Sequence, residues 1–197
     1  VEYGDAAEGA GSVRVSGGDG ITVSAANAFS PSGDFGISGY VRLEAEGSQT
    51  IVSRSGSYGI AAIDVGGQTH LEFTVMNDGT TRQVVSAEPL VPGSWTHFAA
   101  RLQDGRLQLL LGDGGIVKVG DLALPPDDTN APLVMGGVFD GKLDEVAFFD
   151  LTRRPNVVFE NGKPTIDVTL NGEGWVELFL RSQGMFAGVP LGALARY

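Results

Sequence analysis

FDGKLDEVAFFD, residues 139–150, changes physical character partway along, and that change decides the fold. Asp140-Gly141 carries turn chemistry. From Leu143 onward the pattern predicts a strand with Leu143, Glu145, Ala147 and Phe149 on one face and Asp144, Val146, Phe148 and Asp150 on the other. Both faces are apolar near the centre, as in a strand with neighbours on either side. The leading Asp144-Glu145 pair then belongs at the sheet's rim, where a carboxylate accepts backbone N–H bonds from loops.

Working outward, short runs of the same kind recur between turn signals. Ser12–Ser24 holds two alternating runs around Gly17-Gly18-Asp19-Gly20 and predicts a hairpin. Phe35–Glu44 alternates Ile37, Gly39, Val41 and Leu43 against Ser38, Tyr40 and Arg42, one long strand. Further hairpins are predicted around residues 54–57 and around Asn77-Asp78-Gly79. A strand follows Trp95 with Phe98, Ala100 and Leu102 on its apolar side, and Asp104-Gly105 and residues 112–115 turn the chain twice more. DLALPPDDTNAPL, residues 121–133, is a long loop, since its prolines exclude a central strand. Turn signals every eight to twelve residues or so, without an amphipathic helical pattern, point to an all-β sandwich or barrel.

Composition bounds the function. The chain has 197 residues, 30 glycines, two histidines, no cysteine and a net charge of −11. No disulfide or thiolate-metal framework can form. The acidic balance argues against nucleic acid as a partner, since a phosphate backbone calls for clustered Lys and Arg, and leaves carboxylates for a hard cation such as calcium. No apolar run approaches the roughly 20 residues needed to span a bilayer. VEYGDAAEGA lacks the basic start and apolar stretch of a signal peptide, so an exported form would have lost its signal already, or the sequence is a piece of a longer one.

Five stretches in order carry a resemblance: GGDGITV (17–23), DFGISGYVRL (34–43), TIVSRSGSYGI (50–60), PGSWTHFAARLQDGRLQLLLGDG (92–114) and LVMGGVFDGKLDEVAFFD (133–150). Together they resemble the laminin-G-like domains of the concanavalin A-like lectin and glucanase superfamily, pentraxins included, over about Ser12 to Leu151. The resemblance implies a two-sheet antiparallel jelly-roll sandwich over residues 1–152, used for non-catalytic recognition of carbohydrates and surface ligands, often with calcium. Residues 153–197 depart from it. There Val157–Phe159, Thr165–Leu170 and Trp175–Arg181 predict additional C-terminal strands, the last two as a hairpin, and apolar Gly184–Tyr197 is expected to dock on the sandwich or on a partner.

Candidate site residues divide by chemistry. Related glucanases carry acidic residues at alternating positions on one strand face, with the roughly 5 Å separation that retention requires. Here the alternates of Asp144 are Val146 and Phe148, and those of Glu145 are Ala147 and Phe149, so no catalytic pair is expected and Asp144-Glu145 reads as a loop cap. His97 and His70 read as a structural and a surface histidine, and both tryptophans as core. Tyr58, with Tyr40, is a candidate for stacking on a sugar; Asp127, Asp128 and Asn130 offer ligand contacts in the proline loop. Asp19 and Asp140 are the metal candidates. The connection Gly137–Asp140 is too short for the acidic loop of the pentraxin double calcium site, which leaves no required cofactor and a single calcium as the open alternative.

Two functions fit. One is a module that binds glycans or a cell surface through edge loops; the other is a structural protein of a virion, phage tail or surface appendage, assembling through residues 184–197. Both imply an extracellular, cell-surface or virion setting, with neither nucleic acid nor membrane insertion.

Overall fold

The computed structural model describes residues 2–3, 5–16, 18, 20–24, 29–112, 116–151, 156–160 and 163–167, and the chain divides into two units, 1–152 and 153–197. Among the described residues of the first unit thirteen strands form two antiparallel sheets: β1 (Glu2–Tyr3), β2 (Gly11–Val15), β3 (Ile21–Val23), β4 (Phe35–Leu43), β5 (Gln49–Arg54), β6 (Tyr58–Val65), β7 (Gln68–Asn77), β8 (Thr80–Pro89), β9 (Thr96–Gln103), β10 (Arg106–Leu111), β11 (Ile116–Leu122), β12 (Leu133–Val138) and β13 (Gly141–Asp150). The seven-stranded sheet runs β1-β2-β13-β4-β9-β10-β11, and the six-stranded sheet β3-β12-β5-β6-β7-β8. This is the expected all-β jelly-roll sandwich. Among the described residues no helix is long and apolar enough to cross a membrane.

The core lies between the sheets. Phe35, Ile37, Val41 and Leu43 of β4 meet Phe98, Ala100 and Leu102 of β9 from the one side, with Ile60 of β6 and Leu71, Phe73 and Val75 of β7 from the other. The alternation read along β4 and β9 holds, since one face of each strand is buried while Tyr40, Arg42 and His97 lie outside. The β7–β8 turn shows why its residues were legible: Asp78 has φ +46° and Gly79 +70°, the two left-handed conformations of a tight hairpin whose twist matches the strands.

Three expectations are corrected. The runs around residues 17–20 form no hairpin, because β2 pairs with β13 and β3 with β12, so this link crosses from one sheet to the other. Val15 of the first run lies in the core, and Val23 of the second packs against it. In β13 the predicted alternation fails at a bulge. Asp144 pairs with Tyr40 and Ala147 with Ser38, so Glu145 and Val146 together oppose Gly39. Leu143 and Phe148 therefore share the core side, and Asp144, Ala147 and Phe149 the outer side. β13 is internal, between β2 and β4, as its two apolar faces required. His70, expected at the surface, is buried with Nδ1 2.9 Å from the Ser86 carbonyl oxygen.

In the second unit β14 (Asn156–Glu160) pairs antiparallel with β15 (Lys163–Asp167), so the strand starts two residues earlier than the Asn161–Pro164 turn allowed. The expected hairpin of 165–170 with 175–181, Trp175 and the tail 184–197 lie outside the described residues, β15 apart.

Candidate functional site

The proline loop is held against one end of the six-stranded sheet by a buried cation that the sequence does not advertise. Arg54, at the end of β5, is only 3% exposed. Its Nε donates to the Ala131 carbonyl at 3.2 Å, and its terminal nitrogens donate to the carbonyls of Phe29 and Thr129 and to the Ser30 hydroxyl. Asp128 adds a carboxylate 3.6 Å away. A buried guanidinium persists only when its planar fork is filled, and loop carbonyls fill it here. Ser57 Oγ donates to the Asp127 carbonyl at 2.7 Å, which fixes the middle of the loop as well.

Tyr58 does not face solvent. Its ring is 4% exposed, packed on Phe35 and Phe148, and its hydroxyl donates to the Phe29 carbonyl at 2.9 Å. Burial pushes its pKa up to about 12 against the opposing charge of Arg54. No sugar can stack on it. The inward direction follows from strand phase, since Tyr58, Ile60 and Ala62 alternate toward the core.

Of the loop candidates, Asp127 is engaged as a cap: its Oδ1 accepts the Asp78 N–H at 3.0 Å, and its own N–H donates to the Met76 carbonyl at 2.9 Å. Asn77 Nδ2 reciprocates by donating to the Pro125 carbonyl at 2.7 Å. Asp128 and Asn130 are exposed beside it. The stitched loop and hairpin enclose a cleft of about 230 Å³ lined by Val75, Asn77, Asp78, Thr80, Arg82, Ala123 and Leu124. Its lining combines apolar Val75, Ala123 and Leu124 with polar Asn77, Asp78, Thr80 and Arg82, and Arg82 has no ion-pair partner among the described residues. Sequence reasoning named the loop but missed the hairpin residues, because only the long-range pairing of loop with turn brings them together.

Asp140 is exposed, its N–H donating to Gln49 Oε1 at 2.8 Å, and Asp19 lies outside the described residues. Among the described residues no three His, Cys, Asp or Glu side chains group as a metal site would require.

A second polar cluster occupies the outer face of the seven-stranded sheet. Asp144 Oδ2 accepts the N–H groups of Ala7 and Glu8 at 2.9 and 3.0 Å, the capping role expected of it, although on the sheet's face. Asp5, on the same segment, receives Arg42 at 2.9 and 3.0 Å, Lys142 Nζ, and Trp95 Nε1 at 3.4 Å. Trp95 is thus half-buried on the outer face rather than in the core. The Tyr40 hydroxyl donates to Glu8, and its ring lies 5.0 Å from that of His97. Glu145, thrown outward by the bulge, is exposed.

Against known proteins, a family model described as the concanavalin A-like lectin/glucanases superfamily matches residues 15–158. The sequence matches no curated protein. Among solved structures, the chain is similar to a putative carbohydrate binding protein from Bacteroides ovatus at 17% identity and TM-score 0.57, covering 72% of this chain but only 44% of that one. It is similar to domain 4 of AbnA, an extracellular arabinanase of Geobacillus stearothermophilus, in complex with arabinotriose, at 18% identity and TM-score 0.56 over 75% of this chain and 74% of that one. A sialidase carbohydrate-binding module of Ruminococcus gnavus bound to α2,3-sialyllactose matches at 11% identity and TM-score 0.58, over 71% and 89% of the two chains.

Proposed function

Because the chain belongs to the concanavalin A-like lectin/glucanases superfamily, we propose that residues 1–152 are a non-catalytic recognition module that binds a glycan in the cleft between the β7–β8 hairpin and the proline loop. One arrangement carries this reading. Asn77, Asp78, Thr80 and Arg82 line the cleft together with buried Val75 and Ala123 and exposed Leu124. A pyranose presents vicinal hydroxyls at its rim and C–H groups on its faces, so a guanidinium donor and a carboxylate acceptor over apolar side chains match both. The volume is below the roughly 300–1,000 Å³ of enclosed ligand pockets, which suits an open groove.

Carbohydrate ligands in the arabinanase domain and the sialidase module support the class of ligand. Asp144 is committed to backbone amides and Glu145 has no second carboxylate alternating with it along β13, which supports recognition without hydrolysis. An extracellular setting goes with this reading. Binding is proposed to need no metal, a single calcium being the alternative that a chelator separates.

The test is a glycan array probed with calcium and with chelator, repeated with Arg82→Ala. A saccharide bound in both buffers and weakened about tenfold by Arg82→Ala, the worth of roughly one charge-assisted hydrogen bond, supports the cleft. An array without hits overturns glycan recognition, and hits indifferent to Arg82→Ala and Thr80→Ala overturn the site.

A further inference from the structure

Lys142 and Arg42 stand directly opposite each other on β13 and β4, both on the outer face, in a chain with only 13 Lys and Arg among 197 residues. Like charges in a cross-strand pair destabilise a sheet unless an anion lies between them. Lys142 is moreover 5% exposed, so its ammonium is held where an unneutralised charge would be costly. The strands therefore build a site for an anion. Its occupant comes from the Asp5–Ala10 segment: the Asp5 carboxylate takes both nitrogens' hydrogen bonds and that of the Trp95 indole. These donors hold its carboxyl below the ordinary carboxylate range, Lys142 first and Trp95 and Arg42 with it, against the contrary effect of desolvation.

Two further features point to a ligand larger than one carboxylate. Arg42 Nε is buried, without a hydrogen-bond partner among the described residues, and ion-pairs with the Glu44 carboxylate at 3.4 Å, while both Asp5 oxygens accept from Nη1 alone, so Asp5 engages only one nitrogen of the fork. Trp95 and the Tyr40–His97 pair, whose rings meet at a tilt of 57°, flank the cations with ring surface. Planar cation, ammonium, indole N–H and aromatic flank together match a sugar ring that bears a carboxylate.

We propose that Arg42, Lys142 and Trp95 form a binding site for the carboxylate of an acidic saccharide, and that Asp5 of the chain's own N-terminal segment occupies it in cis. The saccharide part rests on the reading of this domain as a glycan-binding module; the site is separate from the edge cleft. The segment is a tethered competitor: it is fastened by Asp144 to the Ala7 and Glu8 amides and by Ser12 Oγ to the Asp5 carbonyl at 2.5 Å, contacts that keep a high local concentration of one carboxylate.

The experiment is calorimetric titration of the intact chain, Asp5→Asn and Asp5→Ala with a glucuronic-acid oligosaccharide, its carboxyl-reduced neutral counterpart, and acetate, with the Trp95 indole N–H resonance followed in parallel. Asp5→Ala should bind the acidic oligosaccharide at least about tenfold tighter than the intact chain and the reduced one no better, and adding Arg42→Gln should abolish the gain. Folded variants with no gain, or with equal gain for both sugars, overturn the proposal while leaving the edge cleft intact. Acetate perturbing Trp95 while no saccharide of either kind binds anywhere on the chain would overturn the saccharide assignment and the glycan function together. Should both variants fail to fold, millimolar acidic oligosaccharide must displace Asp5 in the intact chain, and an unmoved Trp95 resonance overturns the site.

Discussion

Glu145 sits at φ +48° directly across the β13–β4 ladder from Gly39, the residue that the bulge leaves facing two partners instead of one. A Cβ on Gly39 would lie 3.1 Å from Val146 Cα and 3.2 Å from the Asp144 carbonyl oxygen, so the bulge and the glycine depend on each other. Gly39→Ala should cost about 1–3 kcal/mol as an overpacked contact against backbone. Glu145→Gly should be neutral or stabilising by about 0.5 kcal/mol, against the roughly 0.5–1 kcal/mol that glycine ordinarily costs inside a strand, because the left-handed strain disappears. Denaturant midpoints decide it: a destabilised Glu145→Gly means that the side chain has a role beyond its backbone angle.

Arg54→Met keeps the aliphatic stem but removes the donors for Ala131, Phe29 and Thr129. Three carbonyls left short of partners should cost about 3 kcal/mol or more. Faster hydrogen exchange at the Asp127 amide should accompany the loss, since that N–H lies on the loop Arg54 anchors. A loss under about 1 kcal/mol would show that water replaces the guanidinium without consequence.

Tyr58 makes the fold sensitive to alkali. Its folded pKa is raised to about 12 from 10.0 by burial, so below pH 10 both states hold the proton and the term is fully present. Between pH 10 and 12 only the unfolded chain ionises, binds fewer protons, and is favoured as pH rises. The stability lost across that window is on the order of 2 kcal/mol. Tyr58→Phe should be about 1 kcal/mol less stable at pH 8, having lost the bond to Phe29, and that deficit should vanish as pH rises through 11. A constant difference across the window would mean that the phenol is not raised.

What the chain's pattern reveals about itself follows the range of the interaction. Asp78-Gly79 and Asp104-Gly105 announce their hairpins because adjacent positive φ angles are a local demand that few residues meet. Phe98, Ala100 and Leu102 announce a core face because burial imposes period two along one strand. The bulge at Glu145 is silent, since LDEVAFF alternates acceptably in either phase and only the pairing with β4 selects one. Tyr58 misleads because a hydroxyl-bearing ring beside a turn reads the same whether its partner is water or the Phe29 carbonyl, a residue 29 positions away. Asp5, Arg42, Lys142 and Trp95 meet only through the sheet order, which no local pattern encodes.

Asp127 separates two ways of serving the cleft. As a sequence candidate it would touch the ligand; in the structure its Oδ1 is spent on the Asp78 amide and so sets the position of Asp78 and, through the turn, of Asn77. If positioning is its role, what matters is an acceptor oxygen, not a charge. Asp127→Asn retains that oxygen and should bind glycan within about twofold of the native chain, whereas Asp127→Ala should lose about tenfold, roughly the net worth of one hydrogen bond to a backbone amide plus the turn's loosened geometry. Both should stay folded, since the loop keeps Arg54 and Ser57. The readout that a purely structural role would not produce is the pattern across ligands: a misplaced cleft weakens every bound saccharide alike, while a lost direct contact weakens only those presenting a hydroxyl at that point. Equal losses for Asp127→Asn and Asp127→Ala, confined to some saccharides, would return Asp127 to the ligand-contacting role.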